Sequence, residues 1–260
     1  MPHASDHSPP FALLKRDGRL TASIGLAGAL ALGIALIPLF GLGWTQPAAA
    51  ALLFAAFMGA AARWLPEHLP HAALGAANRV TVLRAALVAN LGALALAPEA
   101  LAAHGWGAAA LALGALALDG VDGWTARRFG LASPFGARFD QELDALTILI
   151  LAALAWRVGD AGAWALLAGL LRYLFVAAQA GLPKLRGVLP PSQRRRWICV
   201  FAVSALIAIL TPAVAPPLST GLAAATVALL SISFARDITW LLKRRPSEAA
   251  KRHGTRGGFA

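Results

Sequence analysis

The sequence predicts an all-α membrane protein, a polytopic bundle of about eight transmembrane helices. The 260 residues are 58% hydrophobic and 13% charged, with a mean hydropathy of +0.66, whereas a soluble domain carries about 25% charged residues. Long apolar runs, each near the roughly 20 residues that cross a bilayer, alternate with short polar segments. The net charge of +11 lies in clusters between these runs. This placement predicts contact with membrane lipids and argues against nucleic acid as the partner.

The apolar runs divide the chain into five parts. Residues 1–19 are predicted to be a cytoplasmic tail, and 20–65 hold two additional transmembrane helices at about 20–42 and 47–65. The first run exceeds the 7–15 apolar residues typical of a signal peptide, so we expect an uncleaved span. Residues 66–77 are an interfacial linker, 78–242 a six-helix catalytic core, and 243–260 a basic cytoplasmic tail. The six runs of the core cover about 78–97, 106–127, 135–156, 161–182, 197–210 and 218–242.

The basic residues predict the orientation in the membrane. With eight spans, nearly all of them fall on one side, and Arg157 is the exception on the other. By the positive-inside rule, both termini and the segment 119–144 are cytoplasmic, and we expect a bacterial inner membrane. The clusters on this side are Lys15/Arg16/Arg19, Arg63, Arg79/Arg84, Arg127/Arg128, the loop 184–196 and Lys243/Arg244/Arg245.

Five of the chain's 12 acidic residues lie in the segment 119–144, between two apolar runs. Asp119 and Asp122 share one face of a helix at i, i+3 spacing, and Asp140 and Asp144 share a face of the next helix at i, i+4. A glycine and a proline break the chain between them, so two antiparallel helices would point four carboxylates at each other. Such a group needs a cation to stay ionised in a low dielectric. Its hard oxygen ligands suit Mg²⁺ or Mn²⁺.

This segment resembles the signature of the CDP-alcohol phosphatidyltransferase family of integral membrane phospholipid synthases. The signature is Asp, two residues, Asp-Gly, two residues, Ala-Arg, eight residues, Gly, three residues, Asp, three residues, Asp, and every spacing is intact. Eight residues at fixed offsets are a specific match, and the resemblance covers about 78–242. The two leading helices are additional to it, and either pack against the core or help to form a dimer. The matching residues are Asp119, Asp122, Gly123, Ala126, Arg127, Gly136, Asp140 and Asp144.

The resemblance implies transfer of a phosphatidyl group from a CDP-linked donor, most simply CDP-diacylglycerol, to the hydroxyl of an acceptor alcohol, with release of CMP. It implies that Asp144 accepts the proton of that hydroxyl, and that Gly136 lets the catalytic helices pack closely. It also implies a homodimer. The implied metal ligands are Asp119, Asp122, Asp140 and Asp144. The implied CDP-binding residues are Asp119, Gly123, Ala126, Arg127 and Thr81.

The first run of the core begins with a polar group that has two interpretations. Asn78, Thr81 and Arg84 can share one side of a helix, and the family often begins its core with an Asn, Thr, Arg sequence of this kind. Alternatively, Asn78 or Thr81 caps the helix and the basic residues lie at the membrane interface.

An acceptor that carries a phosphate needs further cations. Arg172 is the strongest candidate, because burying an arginine without a partner in a membrane is costly. Lys184, Arg186 and Arg194 are further candidates, although the positive-inside signal and contact with anionic lipid explain their loop more simply. The loop lacks a clear match to the Gly-Lys and Lys-Thr pattern of phosphatidylglycerophosphate synthases, so the acceptor stays open.

The other ligand-type residues outside the signature are interpreted as structural. His68 and His71 are three apart on the linker, with no carboxylate cluster beside them, so we expect both to face solvent. Cys199 is the only cysteine, which excludes an internal disulfide, and we expect it in the core.

Two other functions use buried carboxylates. A membrane metal-dependent phosphohydrolase would use the same groups with water as acceptor, and only the product separates it from a transferase. An ion-coupled transporter predicts inverted repeats or broken helices in both halves. The sequence shows neither, and a transporter does not require Gly123, Ala126 and Arg127.

Overall fold

The computed structural model describes residues 9–128, 133–187, 189–190 and 192–243, and these residues form helices and no strand. The predicted all-α bundle is confirmed. The helices are α1 (Pro9–Phe40), α2 (Thr45–Ala61), α3 (Gly75–Leu94), α4 (Pro98–Ala103), α5 (Gly105–Arg128), α6 (Pro134–Arg157), α7 (Leu167–Gly181), α8 (Gln193–Ile209) and α9 (Leu218–Lys243). Short 3₁₀ segments cover Ala62–His68, Ala163–Leu166 and Pro183–Arg186. We call the first of these the linker helix.

The eight predicted runs correspond to eight of these helices, and α4 is a short addition between the third and fourth runs. The predicted tail at 1–19 is wrong from Pro9 onward, because α1 begins there. Phe11 and Leu14 are buried in the core, so their packing extends the helix beyond the apolar run. Residues 1–8 and 244–260, within the predicted tails, lie outside the described residues.

Four helical stretches in the described part are long and apolar enough to cross a membrane: Pro10–Phe40, Thr45–His68, Ala163–Gly181 and Leu218–Lys243. Large apolar side chains on the first two point outward. Ile24 is 64% exposed and Leu52 is 72% exposed. Such exposure suits contact with lipid rather than water. The number of eight spans stays a prediction.

α3 is packed on several sides, against α1, α2, α5 and α6. α1 contacts it through small residues and polar side chains. A Cβ at Gly33 of α1 would lie 2.9 Å from Asn90 Oδ1 of α3, so glycine permits this approach. Asn90 also donates a hydrogen bond of 3.0 Å to the Ala29 carbonyl of α1. Close contact of small residues with an interhelical hydrogen bond is a typical membrane-helix interface, and it fastens α1 to the core.

Candidate active site at the carboxylate cluster

One arginine of α3 stands at the centre of four carboxylates. Nη1 of Arg84 lies 2.7 Å from Asp119 Oδ1, 3.0 Å from Asp122 Oδ2 and 2.8 Å from Asp140 Oδ1. Its Nη2 donates to Asp144 Oδ1. The Arg84 side chain is only 2% exposed. We call this group the carboxylate cluster.

The four aspartates come from two helices, as their spacing predicts, but differ in burial. Asp119, Asp140 and Asp144 each offer an oxygen within 4.8 Å of the others, and their side chains are 34–41% exposed. The Asp122 side chain is 6% exposed. The cluster therefore has a buried floor at Asp122 and three carboxylates at an opening.

The charge balance of the carboxylate cluster leaves room for a further cation. Four ionised carboxylates and one guanidinium carry a net charge of about −3, and uncompensated charge in a low dielectric is costly. Arg84 engages one oxygen of each aspartate, so each carboxylate has a second oxygen that is not bonded to Arg84. An all-oxygen donor set with excess negative charge fits Mg²⁺ or Mn²⁺. The residues present thus suit the predicted metal.

Thr81 lies beneath the carboxylate cluster, where its hydroxyl meets Asp122 Oδ2 at 3.0 Å. Neither Thr81 nor Asn78 caps α3, because the helix begins at Gly75 with no side-chain cap on its N-terminal residue. Asn78 instead donates a hydrogen bond of 2.7 Å to the Leu74 carbonyl. The capping interpretation is therefore wrong. Thr81 is buried and orients Asp122, and its contact with CDP stays a prediction.

The start of α6 is held by residues that the sequence did not single out for this role. Ser133 precedes α6, and its Oγ accepts a hydrogen bond of 3.0 Å from the Gly136 amide. Nδ1 of His68 lies 2.8 Å from the same Oγ, and Nε2 lies 2.9 Å from the Ala73 carbonyl. Since a carbonyl only accepts, Nε2 carries the proton and Nδ1 accepts the Ser133 hydroxyl.

The expectation that His68 faces solvent is wrong, because the side chain is 3% exposed. His71 is exposed, as predicted. The linker helix folds back on α6 and buries His68 against Phe135, with ring centroids 5.4 Å apart. No local sequence signal marks a histidine for a contact 65 residues away.

Gly136 permits close packing at the same place. A Cβ at this position would lie 2.8 Å from Asn78 Oδ1 of α3 and 3.2 Å from Ser133 Oγ. The tight contact at Gly136 is therefore between α6 and α3, rather than between α6 and α5. This approach brings Arg84 of α3 within reach of the α6 aspartates.

Three of the four candidate acceptor residues have partners away from the carboxylate cluster. Arg172 donates to Glu142 at 2.6 Å, so it is not the unpaired cation that its position suggested. Arg194 donates to Asp237 at 2.9 Å. Arg186 donates to the Gln179 carbonyl at 2.8 Å, which closes the end of α7, and Lys184 is exposed in the 3₁₀ segment Pro183–Arg186.

Arg196 is a basic-loop residue whose charge favours the ionised form of Asp119. Its side chain is exposed, and it has a favourable charge interaction with Asp119. Its neighbour Arg195 lies 3.4 Å from Asp237 instead. Helix geometry separates these arginines, since successive residues of α8 point in different directions.

The remaining signature residues are only partly described. Gly123 is half-buried in α5, directly after Asp122. The side chains of Ala126 and Arg127 lie outside the described part of the structure, so their contacts with CDP stay predictions.

A small cavity of about 30 Å³ adjoins the carboxylate cluster. Asp144, Thr147 and Cys199 are among its lining residues. A volume of this size holds a water molecule where polar partners are present. Cys199 is half-buried there, and no disulfide forms in the described residues.

The family model described as CDP-alcohol phosphatidyltransferase matches residues 74–235, more than half of the chain. The chain belongs to the CDP-alcohol phosphatidyltransferase family. This membership makes it a transferase that uses a CDP-alcohol, and its apolar helices place it in a membrane. The match begins at Leu74, directly before α3, and leaves α1 and α2 outside it. No curated protein and no solved structure matches the chain.

Proposed function

We propose that this phosphatidyltransferase transfers the phosphatidyl group of CDP-diacylglycerol to the hydroxyl of an acceptor alcohol and releases CMP. The observation that carries the proposal is the convergence of four aspartates on one point, three of them at an opening. A pyrophosphate carries concentrated negative charge, so a site for it must supply cations. The carboxylate cluster has the charge and the oxygen atoms to recruit them.

Asp119, Asp140 and Asp144 would hold Mg²⁺ or Mn²⁺, with Asp122 as the buried fourth carboxylate. When bound, the metal neutralises the pyrophosphate charge and stabilises the departing CMP. The guanidinium of Arg84 reduces the repulsion among the four carboxylates and holds each in place. Thr81 adds a hydrogen bond to Asp122. These contacts pre-organise the site before any ligand enters.

We assign proton transfer to Asp144. One of its oxygens accepts a hydrogen bond from Arg84 Nη2, which sets the orientation of the carboxylate. Its side chain is 34% exposed, so the second oxygen can meet an acceptor hydroxyl. A base within hydrogen-bond reach of the attacking hydroxyl is what in-line displacement requires.

The donor and acceptor phosphates need cations from the protein as well. We assign Arg127, with the small residues Gly123 and Ala126, to the CDP moiety. For a phosphate on the acceptor we place Arg196 before Arg172 and Arg194, because ion pairs already engage those two. Lys184 and Arg186 then contribute to the positive charge of the cytoplasmic face.

We further propose that the active site and both termini are cytoplasmic, in a bacterial inner membrane, and that the protein works as a homodimer. The positive-inside distribution of Lys and Arg supports the orientation. The dimer rests on the resemblance to the family.

The test is CMP release from CDP-diacylglycerol by the purified protein, with Mg²⁺ or Mn²⁺ and a panel of acceptor alcohols. Acceptor-dependent release that is lost in Asp144→Asn and kept in Glu99→Gln is the expected result. Glu99 is a matched control, since it is an exposed acidic residue at the start of α4. No release with any acceptor and either metal would overturn CDP-diacylglycerol as the donor.

Hydrolysis of the same CDP-lipid is the second candidate, because a water-sized cavity adjoins Asp144. It predicts release of CMP and phosphatidic acid without an acceptor. Chromatography of the lipid product separates the two reactions. Phosphatidic acid as the main product in the presence of every acceptor would replace the transferase by the hydrolase.

A further inference from the structure

A second cavity, of about 390 Å³, lies between the N-terminal helices and the start of α6. Its apolar lining comes from four parts of the chain: α1, α2, the linker helix and the beginning of the core. Cationic side chains of α1 and the linker helix lie at the same cavity. The apolar residues that form its interior include Phe11, Met58, Leu65, Leu74 and Phe135, and the cations are Lys15, Arg19 and Arg63. We call it the basic cavity.

The walls of the basic cavity are held by specific contacts. Asp17 of α1 accepts a hydrogen bond of 2.8 Å from the Leu74 amide and pairs with Arg79 at 2.7 Å. Trp64 of the linker helix lies against Arg138 of α6, with 4.6 Å between the guanidinium carbon and the ring centroid. These contacts fix the positions of α1, the linker helix and α6, so the cavity between them is a feature of the folded protein.

Two arginines at the basic cavity have no anionic partner among the described residues. Arg19 and Arg63 are exposed, and within the described residues neither makes an ion pair or a hydrogen bond through its side chain. Lys15 Nζ lies 4.4 Å from the centroid of the Phe11 ring. The acidic side chains nearby, Asp17 and Glu67, are paired with other arginines. No acidic residue lines the cavity among the residues that the structure describes.

We propose that the basic cavity binds one anionic glycerophospholipid from the membrane. The phosphate lies between Arg19 and Arg63, and part of an acyl chain lies between the apolar walls. Basic clusters beside transmembrane helices attract anionic lipid, and the volume is in the range of small-molecule sites. A free phosphate ion would leave the apolar interior unfilled, so the lining favours a lipid.

The site is separate from the carboxylate cluster and does not depend on the proposed reaction. Two of its walls, α1 and α2, lie outside the family match. Among the described residues, it touches the catalytic region through Leu74 before α3 and Phe135, the second residue of α6. A lipid in the cavity would therefore brace the beginning of the helix that carries Asp140 and Asp144.

Native mass spectrometry of the full chain in a neutral detergent tests the proposal. Phosphatidylglycerol and phosphatidylcholine with identical acyl chains are titrated separately. We expect phosphatidylglycerol to bind about tenfold more tightly, since each basic residue near an anionic lipid contributes a severalfold preference. Arg19→Gln with Arg63→Gln should abolish that preference. Arg236→Gln with Lys243→Gln, which removes two exposed charges of α9, should keep it.

Two further arms identify the ligand chemistry. Ala22→Phe places a ring in the cavity that Ala22 lines and should weaken binding of phosphatidylglycerol severalfold with the basic residues intact. Free glycerol phosphate at the same concentration should leave the bound lipid in place. The proposal is overturned if the Arg19/Arg63 variant keeps its preference, if the α9 control loses it equally, or if glycerol phosphate displaces the lipid.

Discussion

The carboxylate cluster and the basic cavity differ in whether their charged side chains have partners within the protein. In the carboxylate cluster, four acidic side chains surround one buried guanidinium, and every aspartate has a cationic partner. In the basic cavity, Arg19 and Arg63 have no anionic partner among the described residues. The first region is organised around a cation that the protein itself supplies, although it keeps an excess of negative charge, whereas in the second the two arginines face no protein anion among the described residues.

This difference shows how each region can be disturbed. Removing the Arg84 charge from the carboxylate cluster leaves four carboxylates without a protein cation, which is costly. Removing one charge from the basic cavity should lower its affinity for an anionic ligand and leave the packing of the helices unchanged. The linker helix joins the two regions, since its His68 contacts Ser133 at the start of α6 and its residues Arg63 and Leu65 line the basic cavity.

The largest effect is expected for Arg84→Ala. It leaves four carboxylates facing each other, so we expect the free energy of unfolding to fall by about 3–5 kcal/mol. Thermal unfolding in one detergent measures the loss, and added Mn²⁺ should restore part of it. Arg79→Ala is the matched control on the same helix. Its ion pair is exposed and should contribute about 1 kcal/mol or less. Equal losses in the two variants would contradict a central role for Arg84.

Gly136→Ala should come next. The new methyl group would lie 2.8 Å from Asn78 Oδ1, and overpacking of this kind costs about 1–3 kcal/mol. CMP release should fall as well, because α6 carries Asp140 and Asp144. Gly28→Ala is the control, since no atom of the described residues lies within 4 Å of its added Cβ. A variant at Gly136 as stable as the wild type would show that α3 and α6 do not need this approach.

His68→Phe tests the link between the two regions. Phenylalanine keeps a ring at this position but loses both hydrogen bonds, so Ser133 loses a buried partner. We expect a loss of about 1–2 kcal/mol in the free energy of unfolding. His71→Phe, at the exposed neighbour, should change it much less. If both variants unfold alike, the His68 contacts do not stabilise the start of α6.

The smallest effect is expected for Glu67→Gln. This residue pairs with Arg138 at 3.2 Å, and both side chains are more than 40% exposed. Exposed ion pairs contribute little, so the free energy of unfolding should change by about 0.5 kcal/mol or less. Urea or thermal titration beside His68→Phe gives the comparison. A larger loss than in His68→Phe would show that the exposed Glu67–Arg138 pair, rather than the buried His68, stabilises the contact between the linker helix and α6.

The sequence alone determined the helical class, the bounds of most helices and the identity of the four aspartates. Apolar runs of membrane length and the spacing of Asp119, Asp122, Asp140 and Asp144 are local properties. A helix converts such spacing into a shared face by its own geometry. That is why the family signature could be found before any tertiary contact was known.

Only the tertiary structure decided which groups meet those faces. Arg84 reaches Asp119 and Asp144 across 35 and 60 residues of sequence, and His68 reaches Ser133 across 65. The same holds for the extension of α1 to Pro9 and for the basic cavity. Periodicity specifies the direction of a side chain on its own helix, but its partner depends on how separate helices pack, which no local pattern encodes.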